Sequence, residues 1–372
     1  MRPRYSLFVS FLLVLAVPPA AQADAVDDAV QLELSALAKQ IDPVLQKQKA
    51  RVVHVGAFQG PGTTSTGPEI QTKLSDALKK MDYTIDSFDY DVEVRGRYQQ
   101  FDGPRGLLGA EIVVQLFNSQ GRPILELTGA ADEPAEIKRP LFGSEAVPRM
   151  LGIAFSLPPG LGEPDRSKEL KKQQDTPPTD IRGHRIYAAP DSPYAIEILI
   201  KNGSTYQFRD LETKGRKEFP FVPIDKQEVY AVRLINESAH DAAVNLTIDG
   251  ISVFQFSESH PKPGFWIVPA GSQSKPGTTL VRGWDKNEHK TIEFKVTDFP
   301  ETAAARLKIQ PNTKIGQITA QFSAAWKEDE AKPADEPTTR GTGFGDEIED
   351  NKKTVRRHVG NVRATIIVRY ER

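Results

Sequence analysis

The densest group of metal-type ligands in the chain is Asp285, Glu288 and His289. Asp285 and Glu288 would share a face if the segment were helical, with His289 following. The segment lies between two strand-like stretches, where a charged turn is the alternative. The chain has no cysteine, and its six histidines (54, 184, 240, 260, 289 and 358) are scattered. Zinc sites draw on Cys and His at fixed spacings, so zinc is disfavoured. No Asp-x-Asp-x-Asp-Gly calcium loop occurs. No metal-binding residue is assigned.

Nucleophilic and phosphate chemistry leave equally thin traces. No Gly-x-Ser-x-Gly elbow is present. His240 and Asp241 are neighbours in sequence, which does not bring their side chains into contact. Gly56 to Gly67 is a glycine-rich stretch between a strand and a helix, the position where phosphate sites form. Neither Gly-Lys-Ser/Thr nor the Gly-x-Gly-x-x-Gly spacing is met by Gly56, Gly60, Gly62 and Gly67. Fifty acidic residues make chance carboxylate pairs unavoidable, so no glycosidase pair is nominated. Trp266 and Trp284 can stack on sugars, or serve as sandwich core aromatics. Lys352, Lys353 and Arg356-Arg357-His358 follow an acidic run, and read as a solvated or salt-bridged loop. No catalytic and no cofactor-binding residue is assigned, and no cofactor is expected.

The segment Val244-Asn-Leu-Thr-Ile-Asp-Gly-Ile-Ser-Val-Phe-Gln-Phe-Ser-Glu258 raises the sharpest question. Its apolar residues alternate, then change phase at Asp249-Gly250. A one-residue change of register flips every side chain to the other face. Glycine supplies the permissive backbone of a turn or bulge, and Asp hydrogen-bonds local backbone. Asp249 is therefore read as a turn former rather than a catalytic carboxylate.

Elements must position these residues. Asp24 to Lys49 reads as a helix with the stripe Val30, Leu32, Leu34, Leu37, Ile41 and Leu45, ended or kinked by Pro43. Arg51 to Phe58 is a buried strand. Pro68 opens a helix carrying Ile70, Leu74, Ala77, Leu78 and Met81 on one face. Extended segments follow at Tyr83–Phe88 and Asp91–Tyr98. A hairpin pairs Ala110–Phe117 with Pro123–Thr128 across Asn118–Gly121. Residues 133–190 hold Pro158-Pro159, Pro164, Pro177-Pro178 and a polar run, and read as a linker with one helix near Ser144–Phe155.

From Ser192 short strands recur at turn-marked spacing, starting with a hairpin at Asn202-Gly203. That spacing indicates a sandwich. Residues 327–354 read as an exposed acidic loop, and Asn361–Tyr370 as a final strand.

The chain has 372 residues and a formal net charge of −2, so no global basic field exists to attract nucleic acid. Arg2 and Arg4, the apolar run Leu7–Val17 and Ala21-Gln22-Ala23 have the form of a secretory signal peptide. The run is shorter than the roughly 20 residues of a spanning helix. No transmembrane anchor and no lipidated cysteine are expected. Asn202, Asn236 and Asn245 sit in glycosylation sequons, which carry no weight in a bacterial envelope. Cysteine-free exported domains must rely on their cores, which favours units of about 100 residues or more.

Arg233-Leu-Ile-Asn, Val244–Gly250, Phe265-Trp-Ile-Val-Pro269, Val281-Arg-Gly-Trp284 and Gly316-Gln-Ile together resemble an uncharacterised bacterial exported β-sandwich domain family, over about 110 residues. The resemblance implies a fold and no activity. The leading helix, strand Arg51–Phe58, helix Pro68–Met81 and following hairpin resemble, by topology alone, another module. It is the α/β module of the TolB amino-terminal domain, of curli-secretion lipoproteins and of penicillin-binding-protein activators. That likeness implies an assembly or adaptor role rather than catalysis.

The resulting expectation is an α+β chain. It comprises a signal peptide (1–23), an α/β sandwich-type module (24–132), a Pro-rich linker (133–190) and an antiparallel β-sandwich (191–372). Its expected role is that of a non-catalytic adaptor or binding component, exported to a bacterial periplasm or cell surface. The expected partner is an envelope protein or a surface polymer, with no nucleic acid. The alternative is a carbohydrate-binding or hydrolytic protein with its site in the sandwich loops.

Overall fold

The computed structural model describes residues 29–61, 66–124, 136–142, 146–158, 160–212, 219–258, 264–287, 289–307, 309, 316–327, 329–334 and 357–370. Residues 1–23, expected to be a signal peptide, Glu288, His260, the strand expected beyond Ile124 and most of the acidic segment lie outside them. The fold is α+β. Among the described residues no helix is long and apolar enough to cross a membrane.

The first unit contains α1 (Ala29–Lys47), β1 (Val52–Gln59), α2 (Thr66–Lys79), β2 (Thr84–Ile85), β3 (Val92–Asp102), β4 (Leu108–Asn118), β5 (Glu136–Phe142) and α3 (Ala146–Leu151). Its sheet has the order β2-β1-β3-β4-β5. β1 is parallel to β2 and β3; β3, β4 and β5 are antiparallel. Val30, Leu34, Leu37, Ile41 and Leu45 recur at helical spacing and bury against the sheet with Ile70, Leu74 and Leu78. Leu32 falls off that stripe and is exposed. Pro43 does not end α1, which runs on to Lys47, within the range expected from the sequence. An interior proline costs about 3 kcal/mol, which the burial of Val44 and Leu45 just beyond it offsets.

The stretch read as a linker is instead built into both units. β5 closes the first sheet, and α3 packs Val147, Met150 and Leu151 into the first core. Next come β6 (Phe155–Ser156) and α4 (Asp165–Asp175). β6 pairs with a strand of the sandwich, while the side chains of Phe155 and the adjoining Leu157 sit in the first core. Each buried side chain contributes about 1.5–3 kcal/mol, enough to order so short a strand. α4 is almost wholly polar, with Leu170 its buried anchor. It is stitched to the first unit by Lys171 Nζ on Asp102 at 3.0 Å. On the other side Arg166 Nη2 donates to Val362 O at 2.8 Å.

The sandwich contains β7 (Asp180–Arg182), β8 (Arg185–Tyr187), β9 (Tyr194–Asn202), β10 (Thr205–Phe208), β11 (Val229–Asn236), β12 (Asp241–Ile248), β13 (Ile251–Ser252), β14 (Trp266–Val268), β15 (Gly277–Val281), β16 (Gly283–Asn287), β17 (Lys290–Lys295), α5 (Ala303–Arg306), β18 (Gln317–Trp326) and β19 (His358–Arg369). One sheet runs β16-β17-β11-β9-β8-β7, with β10 and β15 alongside; the other runs β13-β12-β18-β19-β6, with β14 beside β12. Ile196, Ile198, Val232 and Leu234 face Val244, Leu246, Phe322, Ile366 and Val368 across the core. The final strand pairs with β18 along its length. Asn202 pairs with Thr205, so the first hairpin turns on Gly203-Ser204, one residue later than the sequence suggested. Gly203 supplies the positive φ of 59°.

On the outward side of the second sheet the polar residues Asn245, Thr247, Gln317, Gln321 and Thr365 are buried. Thr247, Gln317 and Thr365 face Thr66, Glu69 and Arg149 of the first unit across a small void. The polar alternation thus marks an interface between units.

Candidate functional site

Asp249 stands at the corner that the sequence singled out. Ile248 pairs with Ile251, leaving Asp249 (φ 55°) and Gly250 (φ 76°) as a two-residue turn with both residues left-handed. The turn is closed by contacts distant in sequence. Asp249 Oδ1 accepts hydrogen bonds from the backbone N–H of Gly316 at 2.7 Å and Gln317 at 3.0 Å. Tyr370 Oη donates to Oδ2 at 2.7 Å. The Asp249 amide donates to Gln317 O at 2.8 Å. One carboxylate therefore ties the β12–β13 turn to the start of β18 and the end of β19. β13 is shorter than expected, because Val253 and Phe254 turn into the core.

Asp249 also contributes to the wall of a cavity of about 560 Å³ at one end of the sandwich. Buried Tyr230, Phe294 and Tyr370 line it beside half-buried Phe256 and Trp284. Trp284 stands edge-on to Phe256 and to Phe294, each with centroids 5.4 Å away. Phe294 stacks on Tyr230 at 5.3 Å, a geometry aromatic quadrupoles favour. Residues 300–303 and Arg306 form a further wall, held by Ala304 packing with Ile251 and Trp284. Burial, then the Asp249 charge, push the Tyr230 phenol well above its ordinary pKa, against the effect of a hydrogen bond with Tyr370. Burial lowers the Arg369 pKa, and attraction to Asp249 opposes that shift.

Polar groups around the opening divide into two sets. Glu293 pairs with Lys201 at 2.5 Å. Glu301 accepts from Thr297 Oγ1 at 2.6 Å. Thr302 caps α5, accepting from the Ala305 amide. By contrast, the side chains of Lys295 and Arg306 make no ion pair or hydrogen bond with any described residue.

The other candidates disperse. Asp285 lies not on a helix but in β16, opposite Thr291 of β17, and Glu288 is outside the described residues. Asp285 is buried, whereas His289 is exposed in the turn with its amide donating to Asn287 Oδ1. Among the described residues no group of three Asp, Glu or His side chains is arranged to hold a metal. His240 Nε2 lies 3.4 Å from Tyr194 Oη and 3.3 Å from Arg363 Nη1. Its neighbour Asp241 instead pairs with Arg357 at 2.9 Å. His358 lies against Trp326. Trp266 packs on Phe254.

In the glycine-rich stretch, a Cβ on Gly60 would lie 1.9 Å from the Tyr98 ring, so close packing requires glycine there. The first turn of α2 carries buried Glu69, to which Arg149 Nε donates at 3.0 Å. A carboxylate already occupies the position an anion would take.

Two features had no local sequence signal. Glu197, buried on the outer face of the first sandwich sheet, accepts from Arg185 at 3.1 Å and Arg233 at 2.6 Å. In the first unit the helices cover one face of the sheet. The other presents Glu93, Arg95, Arg97, Gln115, Glu136 and Lys138. Some of these residues, with Gly56 and Gly96, line a trough of about 460 Å³. No family model matches the chain, and no curated protein or solved structure matches it.

Proposed function

We propose that this chain is a non-catalytic binding component, an adaptor exported to a bacterial envelope, that engages its partner through the open face of the first sheet. The observation that carries this reading is the one-sided helix cover. It leaves β3, β4 and β5 presenting a polar face above the trough. Charges there are locally matched, Arg97 to Glu136 at 3.0 Å and Lys138 to Glu136 at 3.6 Å. Exposed pairs of this kind contribute little to stability and are free to exchange for a partner's charges. The commitment of both Asp249 oxygens to structural donors supports the non-catalytic part. The signal-peptide pattern of Arg2–Ala23 supports the compartment.

Affinity capture from the envelope fraction tests the proposal. The mature chain should recover one stoichiometric partner, and the Arg95→Glu/Arg97→Glu variant should lose it while remaining folded. Equal recovery by both forms, or polysaccharide turnover without a partner, would count against it.

The sandwich-end cavity favours a second reading, in which the protein also binds a small ligand. Its volume falls within the range of about 300–1,000 Å³ typical of ligand sites.

A further inference from the structure

We propose that the sandwich-end cavity takes an uncharged ligand, a small molecule with an aliphatic or aromatic body and no ionised group. This inference rests on the ligand-binding reading of the cavity and is independent of the adaptor surface on the first sheet.

Strand alternation supplies the first part of the argument. Phe294 faces the cavity, where it packs with Tyr230 and Trp284. Side chains two residues apart on a strand share a face, so Ile292 and Val296 line the cavity with it. Glu293 and Lys295, which border the opening, alternate with these and turn to the outward face of the sheet, where Glu293 meets Lys201. The side chains that β17 and the residue after it give to the cavity are therefore apolar. Phe256, Trp284 and Ala303 extend the same lining. These three and Val296 are half-buried, and Ile292 is 36% exposed. A ligand that covers them removes apolar surface from water, which favours binding.

The charges of the lining then exclude an ionised ligand. At the mouth, exposed Arg306 is offset by exposed Glu301. The inner wall carries Asp249, whose oxygens already accept from Gly316, Gln317 and Tyr370. The same carboxylate attracts Arg369. An anion would meet Asp249 as a like charge, which is unfavourable at low dielectric. A cation would give up its hydration for a carboxylate that is already engaged, at a net cost. A sugar would turn most of its hydroxyls towards apolar side chains and leave them without partners. An uncharged apolar molecule avoids all three costs, and a space of about 560 Å³ can hold one.

Isothermal titration calorimetry on the mature protein tests the assignment with 1-octanol, octanoate and octyltrimethylammonium, each below its aggregation limit. Octanol should saturate one site and bind at least about tenfold more tightly than either ion. Ala303→Trp, which fills the opening, should abolish binding. Ile292→Lys sets a cation on the cavity side of β17, and should weaken octanol while strengthening octanoate. Lys295→Ala, on the outward face, should change neither. Ile292 and Lys295 are both exposed, so these two variants should keep their fold. Binding of either ion as tightly as octanol would overturn the ligand class and leave the ligand-binding reading standing. No binding of any of the three, or binding indifferent to Ala303→Trp, would overturn both. Partner capture through Arg95 and Arg97 would be unaffected by any of these results, which separates them from failure of the adaptor reading.

Discussion

Tyr370, in the residue after β19, donates its hydroxyl proton to Asp249 Oδ2 at 2.7 Å, across 121 positions of sequence. The same carboxylate accepts two backbone amides from the start of β18. Asp249→Ala should therefore orphan buried donors at about 1–3 kcal/mol each. It would also place alanine at φ 55°, adding about 1–2 kcal/mol. A total loss of at least about 4 kcal/mol is expected, by urea denaturation with an unchanged m-value. Asp249→Asn, which keeps one acceptor and tolerates the left-handed region, should lose less. Equal stability of Asp249→Ala and the parent would remove the strut role.

Alkaline stability should depend on Tyr230 and Tyr83. Tyr230 is raised by burial and the Asp249 charge. Tyr83 is pushed up to about 12 by burial, then by its hydrogen bond to Asp42 and that residue's charge. The unfolded phenols ionise near 10, whereas the fold retains their protons. Their contribution is fully present below about pH 10 and is lost as pH rises towards and beyond 12. Tyr230→Phe should flatten that loss. Denaturation midpoints from pH 8 to 11.5 that do not fall would contradict it.

At the acid end, backbone amides of Arg51 and Val52 donating to Asp91 hold its pKa below the ordinary carboxylate value. Its contribution is present above about pH 4, where unfolded Asp ionises, and fades as pH falls through the lower folded value. Asp91→Asn should reduce acid sensitivity without changing the alkaline limb. An NMR titration of Asp91 should give a midpoint below that of a model peptide.

Gly60→Ala tests whether the glycine-rich stretch serves packing. Its Cβ collides with the Tyr98 ring, which is itself 2% exposed, so overpacking of about 1–3 kcal/mol is expected. Thermal unfolding unchanged by this substitution would show that the loop has room to spare.

Leu170→Ala separates a flexible tether from an ordered junction. The side chain is fully buried in the first core, so a loss of about 2–5 kcal/mol is expected, with faster proteolysis within residues 160–176. A neutral result would return this region to the status of a linker.

Local pattern made some of this legible and long-range assembly hid the rest. Asp249-Gly250 announced a turn through a phase change and a dipeptide suited to positive φ. Val30, Leu34, Leu37 and Ile41 announced a buried helix face. α4 was hidden because its charged residues carry no stripe; Leu170 and contacts to Asp102 and Val362 hold it. β6 was hidden because Phe155 serves different units with its backbone and its side chain. The buried polar alternation of Asn245, Thr247 and Thr365 looks the same as a solvated face until the first unit covers it. The cavity wall draws on Tyr230, Asp249, Trp284, Arg306 and Tyr370, whose spacing along the chain has no period.

Hydrogen exchange at the Gly316 and Gln317 amides tests the structural role of Asp249 most directly. Both should be protected in the parent protein, and Asp249→Ala should speed their exchange by about tenfold or more relative to amides in the centre of β18, as expected for a lost buried acceptor worth over 1.4 kcal/mol. Rapid exchange in the parent, or protection untouched by the substitution, would show that this carboxylate is free for another task.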